Sequence, residues 1–188
     1  MNPGRQGGFS LLELLVTLFV VVLVTSLVSL SVTSGGQDIR LQSKVHNLAD
    51  VASYALDEAQ VSGWDYGLLI TREDAEGELV YAYQWRERQP QGWREPQSGK
   101  EVFASQQLPL DIELQLELEN VPVAELPQVL EGEEPTPQVV LYASGETTAG
   151  AIDVRRSSSG ELLWRLEWDL LGRFEVLRRG EALEAGLD

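Results

Sequence analysis

The chain has 188 residues, and its 30 Asp and Glu residues outnumber its 14 Lys and Arg residues, which gives a formal net charge of −16 at pH 7. Such an acidic surface repels the phosphates of nucleic acids and anionic lipid head groups, so we expect no nucleic-acid partner. Hydrophobic residues make up 43% of the chain, enough for the core of one ordinary domain. The chain contains no cysteine, so no disulfide supports the fold.

The N-terminal region contains a long apolar run. Every residue from Phe9 to Val32 is apolar or a small hydroxyl residue, except Glu13. As a helix this run would be about 36 Å long, which exceeds the roughly 30 Å hydrocarbon core of a bilayer. A secretory signal peptide has a shorter run and a small-residue cleavage site after it, whereas Gly7 and Gly8 precede this run.

An ordinary transmembrane anchor is the main alternative, and it leaves Glu13 unexplained. Its length and the single basic residue ahead of it, Arg5, would fit an anchor. An acidic residue at the centre of a bilayer, however, costs roughly 2.5–3.5 kcal/mol. We therefore expect the run to pack against a cationic group and not against lipid alone.

Residues 8–13, with the sequence Gly-Phe-Ser-Leu-Leu-Glu, resemble the class III signal of type IV pilins and type II secretion pseudopilins. The resemblance implies that a prepilin peptidase cuts after Gly8 and methylates the new amino terminus on Phe9. Glu13 then becomes the fifth residue of the mature chain, where the family keeps an acid. The methylated terminus stays cationic, so the Glu13 carboxylate of one subunit can pair with the amino terminus of a neighbour in a water-poor helical bundle.

Four regions follow from these features. We expect a cleaved leader at residues 1–8, a transmembrane and assembly helix at 9–32, an amphipathic continuation of that helix at 33–63, and a β-rich domain at 64–188. Arg5 favours a cytoplasmic leader. With the resemblance, this implies a single-pass protein of the inner membrane whose C-terminal domain lies in the periplasm.

The amphipathic continuation has one small, apolar face. Gly35 and Gly36 could break or bend the helix where it leaves the lipid, and Gly63 is expected to end it. His46, the only histidine, is expected at a surface or flank position and not in a catalytic or metal site. The residues at helical spacing that should be buried are Leu41, Val45, Leu48, Ala52, Ala55, Leu56 and Ala59.

The remainder of the chain has the pattern of strands and turns. The alternation of apolar and acidic residues at 112–119 is the clearest strand pattern. We expect a polar turn at 72–77, a loop at 90–99, a long exposed connection at 120–137 and a frayed tail at 180–188. The other predicted strands are 67–71, 79–85, 138–143, 152–156, 162–170 and 174–177. The predicted fold class is α+β and type IV pilin-like: a long N-terminal helix packed on antiparallel sheets. A sandwich of two sheets is one arrangement that this pattern allows.

The soluble half resembles the GspH-like domain, which minor pseudopilins share with minor type IV pilins of the FimU and FimT kind. The resemblance rests on residues 62–70, Tyr81, Trp93 and residues 138–146. Members often follow the Ser-Gly-Glu turn with Thr-Pro and an aromatic residue. This chain has Thr-Thr-Ala-Gly at 147–150, which suggests a reshaped turn.

The sequence offers only weak candidates for catalytic residues. Ser144 and Gly145 are expected to form a turn and not a nucleophilic site, because no Gly-x-Ser-x-Gly pattern surrounds them and His46 is the only possible base. We therefore expect this chain to have no enzymatic activity. The aromatic residues expected to pack in the core or between helix and sheet are Trp64, Tyr66, Tyr81, Trp85 and Trp168.

We expect no cofactor, and a calcium site in one of two acidic stretches is the less favoured alternative. Neither has the Asp-x-Asp-x-Asp-Gly spacing of a calcium loop, so a solvated acidic surface is the favoured interpretation. The carboxylates concerned are Glu73, Asp74, Glu76 and Glu78 in one stretch, and Glu131, Glu133 and Glu134 in the other.

The resemblance implies a minor pseudopilin of the type II secretion system, located near the tip of a periplasmic pseudopilus that drives exoprotein export through the outer membrane. The implied partners are prepilin peptidase, the inner membrane, the GspI, GspJ and GspK tip complex and the major pseudopilin GspG. The alternative is a FimU- or FimT-like minor pilin that primes pilus assembly. DNA uptake of the FimT kind would need a basic patch, which the net charge of −16 argues against.

Overall fold

The computed structural model describes residues 11–75, 77–97, 101–119, 121, 126–128 and 135–178, without the side chains of residues 26–37, 75 and 79. It divides into two units, Met1–Arg40 and Leu41–Asp188. The tail at 180–188 lies outside the described residues, so the fraying predicted there stays a prediction. Most of the connection at 120–137 lies outside them too, but its described part is not exposed throughout: Leu126 is buried, and the Pro127 carbonyl accepts a hydrogen bond from the Arg72 N–H at 3.0 Å.

Helix α1 extends over Leu11–Ser62. It continues through Gly35 and Gly36, so these glycines do not break it. The predicted stop at Gly63 is confirmed: its N–H donates to the Ala59 carbonyl at 2.9 Å, and its φ of 74° lies in the left-handed region that ends many helices.

The predicted apolar face of α1 is buried in the second unit. All seven residues named for it are buried, and Ala55 and Ala59 have no exposed surface. Their side chains are single methyl groups, so the neighbouring backbone can approach the helix closely. His46 is exposed and stacks edge-on against Trp164 with ring centroids 5.9 Å apart, which confirms its flank position.

Nine strands form two antiparallel sheets in the described part of the chain. The first sheet has the order β3-β2-β1-β6, with β4 paired to β2, and the second has the order β5-β7-β8-β9. The strands are β1 (Tyr66–Ala75), β2 (Glu78–Gln89), β3 (Gly92–Arg94), β4 (Gln106–Gln107), β5 (Ile112–Leu118), β6 (Val139–Leu141), β7 (Gly150–Arg156), β8 (Leu162–Trp168) and β9 (Phe174–Arg178).

Two predicted loops in the first sheet were wrong. Strand β1 does not end at Thr71, because its ladder with β2 continues to the pair Ala75↔Glu78. The turn is therefore short, and the Asp74 side chain accepts a hydrogen bond from the Gly77 N–H at 2.8 Å. Residue Trp93, expected in a loop, lies in β3, where the Arg88 guanidinium stands 5.7 Å from its ring centroid.

The second sheet confirms the clearest strand pattern. In β5 the side chains of Ile112, Leu114 and Leu116 are buried, while those of Gln115 and Glu117 are exposed. The predicted meander is formed by β7, β8 and β9. One face of this sheet therefore contributes to the core, and the other carries charged side chains.

Four of the five aromatic residues predicted to pack do so. Tyr66, Trp85 and Trp168 are buried and Tyr81 is half-buried. Trp64 is 43% exposed, so its predicted packing role was wrong. It follows the helix stop and precedes β1, so no strand holds it against the core.

We expect Gly172→Ala to destabilise the domain more than Gly160→Ala. Both glycines have a positive φ, 68° and 70°, which costs a substituted alanine about 1 kcal/mol. A Cβ at Gly172 would in addition overlap the buried Leu56 side chain, whereas at Gly160 it would meet no atom within 4 Å. Overpacking adds roughly 1–3 kcal/mol to the Gly172 variant. Urea unfolding measures both losses, and equal losses would contradict this packing.

Candidate assembly segment and domain surfaces

The N-terminal half of α1 carries Glu13 among exposed apolar side chains. Every described side chain from residue 11 to residue 25 is exposed in the single chain, including Leu12 at 74% and Phe19 at 60%. The Glu13 side chain is also exposed, and its backbone carbonyl accepts a hydrogen bond from Thr17 Oγ1 at 2.8 Å. A helix that is apolar on all sides is stable only when something else covers it. This segment therefore needs an apolar cover, such as lipid or other helices.

Gly8 and Phe9 lie outside the described residues, so the cleavage and methylation predicted there stay predictions, as does the pairing of Glu13. In the part of the chain that the structure describes, no helical segment combines the length and the hydropathy needed to cross a membrane. The predicted segment 9–32 includes residues and side chains that are not described, and it too stays a prediction.

The two segments that resemble the GspH-like domain lie side by side. Strands β1 and β6 pair with Tyr66 opposite Leu141, and the Asp65 carboxylate accepts a hydrogen bond from the Ala143 N–H at 3.0 Å. A Cβ at Gly67 would lie 2.5 Å from Pro137 Cβ, so only glycine permits this approach. Residues far apart in sequence thus form one continuous part of the domain.

The turn that departs from the GspH-like pattern leads directly into β7. Thr147 is buried, its N–H donates to the Leu170 carbonyl at 2.9 Å, and its hydroxyl donates to the Asp169 carbonyl at 2.8 Å. The Trp168 indole N–H donates to the Thr148 carbonyl at 2.5 Å. Hydrogen bonds from one threonine and one tryptophan therefore fix this turn against the end of β8 and the β8–β9 connection.

Sequence reasoning missed the role of Gln138. Its side-chain amide accepts a hydrogen bond from the Ile70 N–H and donates one to the Ile70 carbonyl, both at 2.9 Å. The amide thereby supplies the two hydrogen bonds that a neighbouring strand would make, just beyond the last β1–β6 pair, Leu68↔Val139. Only the three-dimensional pairing of β1 with β6 reveals this role.

A buried carboxylate on the outer face of the second sheet was also missed. Asp153 of β7 is 3% exposed, and its two oxygens lie 2.7 Å from guanidinium nitrogens of Arg155 and Arg165. Arg165 also contacts Glu117 at 3.0 Å and Glu167 at 3.5 Å. The network joins β5, β7 and β8 across the face away from the core.

Arg165 is the centre of that network. Partial burial lowers the pKa of its guanidinium, but the hydrogen bonds to Glu117 and Asp153 outweigh burial, and the pKa is raised above its ordinary value. The guanidinium therefore stays cationic at any physiological pH. The network fixes the sheet and leaves its arginines occupied by carboxylates of the same chain.

Among the described residues, Ser144 and His46, the only possible nucleophile and base considered in the sequence, are not brought together. His46 packs on Trp164, whereas the turn at Ser144 and Gly145 lies against Gln60. Gln60 is fourteen residues beyond His46 along α1, about 21 Å along the helix axis. A proton transfer between Ser144 and His46 would need hydrogen-bond distance.

The acidic stretch at residues 73–78 has contacts within the chain. Glu73 accepts a hydrogen bond from the Gln107 side chain at 3.1 Å, and Asp74 caps its turn. Among the described residues, no group of three or more His, Cys, Asp or Glu side chains could hold a metal ion. Glu76 and the cluster at 131–134 lie outside the described residues, so the absence of a cofactor stays a prediction.

Known proteins are similar to this chain both in its N-terminal segment and in the fold of its domain. The prokaryotic N-terminal methylation motif matches residues 3–29. No curated protein sequence matches the chain. Two structures of the minor pseudopilin EpsH from the type II secretion system of Vibrio cholerae are similar, at 21% and 20% identity with TM-scores of 0.57 and 0.58. They cover 74% and 75% of this chain and 94% and 97% of their own.

A further similar structure is the solution structure of E. coli GspH, at 18% identity and a TM-score of 0.50, covering 78% of this chain and 93% of its own. The chain therefore carries the methylation motif of prokaryotic prepilin-like proteins and has the pilin-like fold, a helix followed by two antiparallel sheets. Its neighbours in structure are the EpsH and GspH minor pseudopilins, and this likeness establishes the fold. The predicted fold class is confirmed.

We expect Asp153→Asn to destabilise the domain by roughly 2–3 kcal/mol, because it leaves two partly buried guanidinium groups without their shared carboxylate. Glu117→Gln is the matched control, since it removes a carboxylate from the same Arg165. The Glu117 side chain is 58% exposed, and its loss should cost less than about 1 kcal/mol. Chemical denaturation distinguishes the two, and equal losses would contradict the central position of Asp153.

Proposed function

We propose that this chain is a minor pseudopilin, a structural subunit near the tip of the periplasmic pseudopilus of a type II secretion system. The observation that carries the proposal is the combination of an N-terminal methylation motif at residues 3–29 with a domain that has the fold of the Vibrio cholerae minor pseudopilin EpsH. A strongly acidic, cysteine-free domain is compatible with a periplasmic location.

In this proposal the N-terminal segment performs assembly. Prepilin peptidase cuts after Gly8 and methylates Phe9, and residues 9–32 anchor the subunit in the inner membrane before it enters the filament. The exposed apolar surface of α1 packs against the helices of neighbours. Within that bundle the Glu13 carboxylate accepts the charge of a neighbour's methylated terminus, and the low dielectric strengthens the pair relative to water.

The domain provides selectivity and no catalysis. Its partners would be the GspI, GspJ and GspK tip complex and the major pseudopilin GspG, and its role is structural, without a cofactor. The GspH-like domain also occurs in minor type IV pilins, which makes a pilus-priming subunit the competing function. Both functions use the same N-terminal chemistry, so the cellular assay must separate them.

We expect a clean deletion of the gene to abolish exoprotein release and to leave twitching motility normal, because the chain would be part of the secretion pseudopilus alone. Both activities are scored in the same strain, and a plasmid-borne copy of the full chain is the control. Loss of twitching with normal secretion would overturn the proposal and assign the protein to the pilus.

We expect Glu13→Val to leave cleavage after Gly8 intact and to impair assembly, because the variant cannot pair with a neighbour's terminal cation. Thr17→Val, one turn further along α1, is the matched control, since it also makes the helix more apolar but keeps the carboxylate. Electrophoretic mobility reports cleavage, and recovery in sheared filaments reports assembly. Normal incorporation of the Glu13 variant would contradict the pairing.

A further inference from the structure

Five large apolar side chains are exposed at the end of the domain where α1 stops. Val61 is 85% exposed, Leu171 65%, Leu170 58%, Trp64 43% and Tyr142 38%. We call these five residues the apolar end cluster. They come from three separate segments: the last turn of α1 with the residues after it, the loop after β6, and the β8–β9 connection.

Contacts between the three segments make the cluster one surface. Asp65, next to Trp64, accepts a hydrogen bond from the Ala143 N–H, next to Tyr142. The loop after β6 lies against the helix, since a Cβ at Gly145 would be 3.2 Å from Gln60 Oε1. Thr147 in turn donates to the Leu170 carbonyl at 2.9 Å.

The backbone that presents the cluster is fixed. Gly145 and Gly172 have positive φ values of 91° and 68°, which a substituted residue would strain to adopt. Gly172 packs against the buried side chain of Leu56, and Thr147 is buried between the two loops. A pre-formed surface loses little conformational entropy when a partner covers it, which favours binding.

Carboxylates border the cluster. Asp57 and Glu58 lie one turn before Val61 on the surface of α1, where residues three and four apart are neighbours, and Asp57 is exposed. Glu146, in the loop after β6, is exposed as well.

The nearby arginines already face carboxylates of this chain. Arg88 lies 3.7 Å from Asp65, and the Arg173 Nε donates to Asp169 at 2.6 Å. The border of the cluster is therefore negative.

This charge decides what can cover the cluster. A second copy would bring the same carboxylates together across a two-fold interface, and an anionic lipid surface would repel them. We propose that the apolar end cluster binds a different protein, through a surface with an apolar centre and a border of Lys and Arg. The inference rests on the proposed function, in which that protein would be another subunit of the filament.

A photocrosslinker in the full chain tests the inference in the native host. We place p-benzoylphenylalanine at Leu171, with Leu110 as the matched control. Leu110 is 55% exposed, and it precedes β5 at the far end of the second sheet, where Ile112 pairs with Arg156 at the end of β7. The β8–β9 connection that carries Leu171 lies beside the start of β7, where Gly150 pairs with Trp168.

We expect an adduct from position 171, absent from position 110, whose crosslinked peptide belongs to another protein and contains apolar residues beside Lys or Arg. The double substitution Asp57→Lys with Glu146→Lys should lower the yield of this adduct at least about tenfold, because it places cations opposite the basic border. A homodimer, equal adducts at both positions, no adduct, or a yield unchanged by the double substitution would each overturn the inference.

Exoprotein release, scored in the same strains, separates failure of this inference from failure of the proposed function. Release that depends on the full chain, without a heterologous adduct at position 171, overturns the inference alone. Release that does not depend on the chain overturns the proposed function.

Discussion

The domain depends on the burial of the alanine-rich face of α1. Ala52, Ala55 and Ala59 are 2%, 0% and 0% exposed, and their short side chains permit close approach to the rest of the core. Larger residues follow the same face: Leu56 meets the β8–β9 connection at Gly172. Because one helix face contacts elements distant in sequence, it also determines which loops meet at the end of the domain.

The elements that could be predicted are those whose pattern is local. The buried face of α1 follows from helical spacing, and β5 follows from strict alternation, so each could be inferred without its neighbours. The extension of β1 to Ala75 and the strand at Trp93 could not, because pairing with β2 overrides polar residues that favour a turn. Gln138 and Asp153 were missed for the same reason, because Gln138 bonds to Ile70 of β1 and Asp153 of β7 depends on Arg165 of β8.

The candidate sites also differ in whether their residues are contiguous in the sequence. The motif at residues 8–13 is contiguous and can be recognised in the sequence, and it lies within residues 3–29, which match the prokaryotic N-terminal methylation motif. The apolar end cluster is assembled from three segments, and Trp64 within it was expected to be buried. In the proposed function the two surfaces have different tasks: the apolar helix with one acid packs among similar helices, and the apolar patch with an acidic border binds a cationic partner.

The proposed assembly depends most on the chemistry of the amino terminus, because cleavage after Gly8 would create the cation that pairs with Glu13. Mass spectrometry of the N-terminal peptide, purified from the native host and from a strain without prepilin peptidase, tests it directly. We expect a peptide that begins at Phe9 and carries one added methyl group in the first strain, and an uncut chain that retains residues 1–8 in the second. A peptide that begins elsewhere, or the same terminus in both strains, would contradict processing by prepilin peptidase after Gly8.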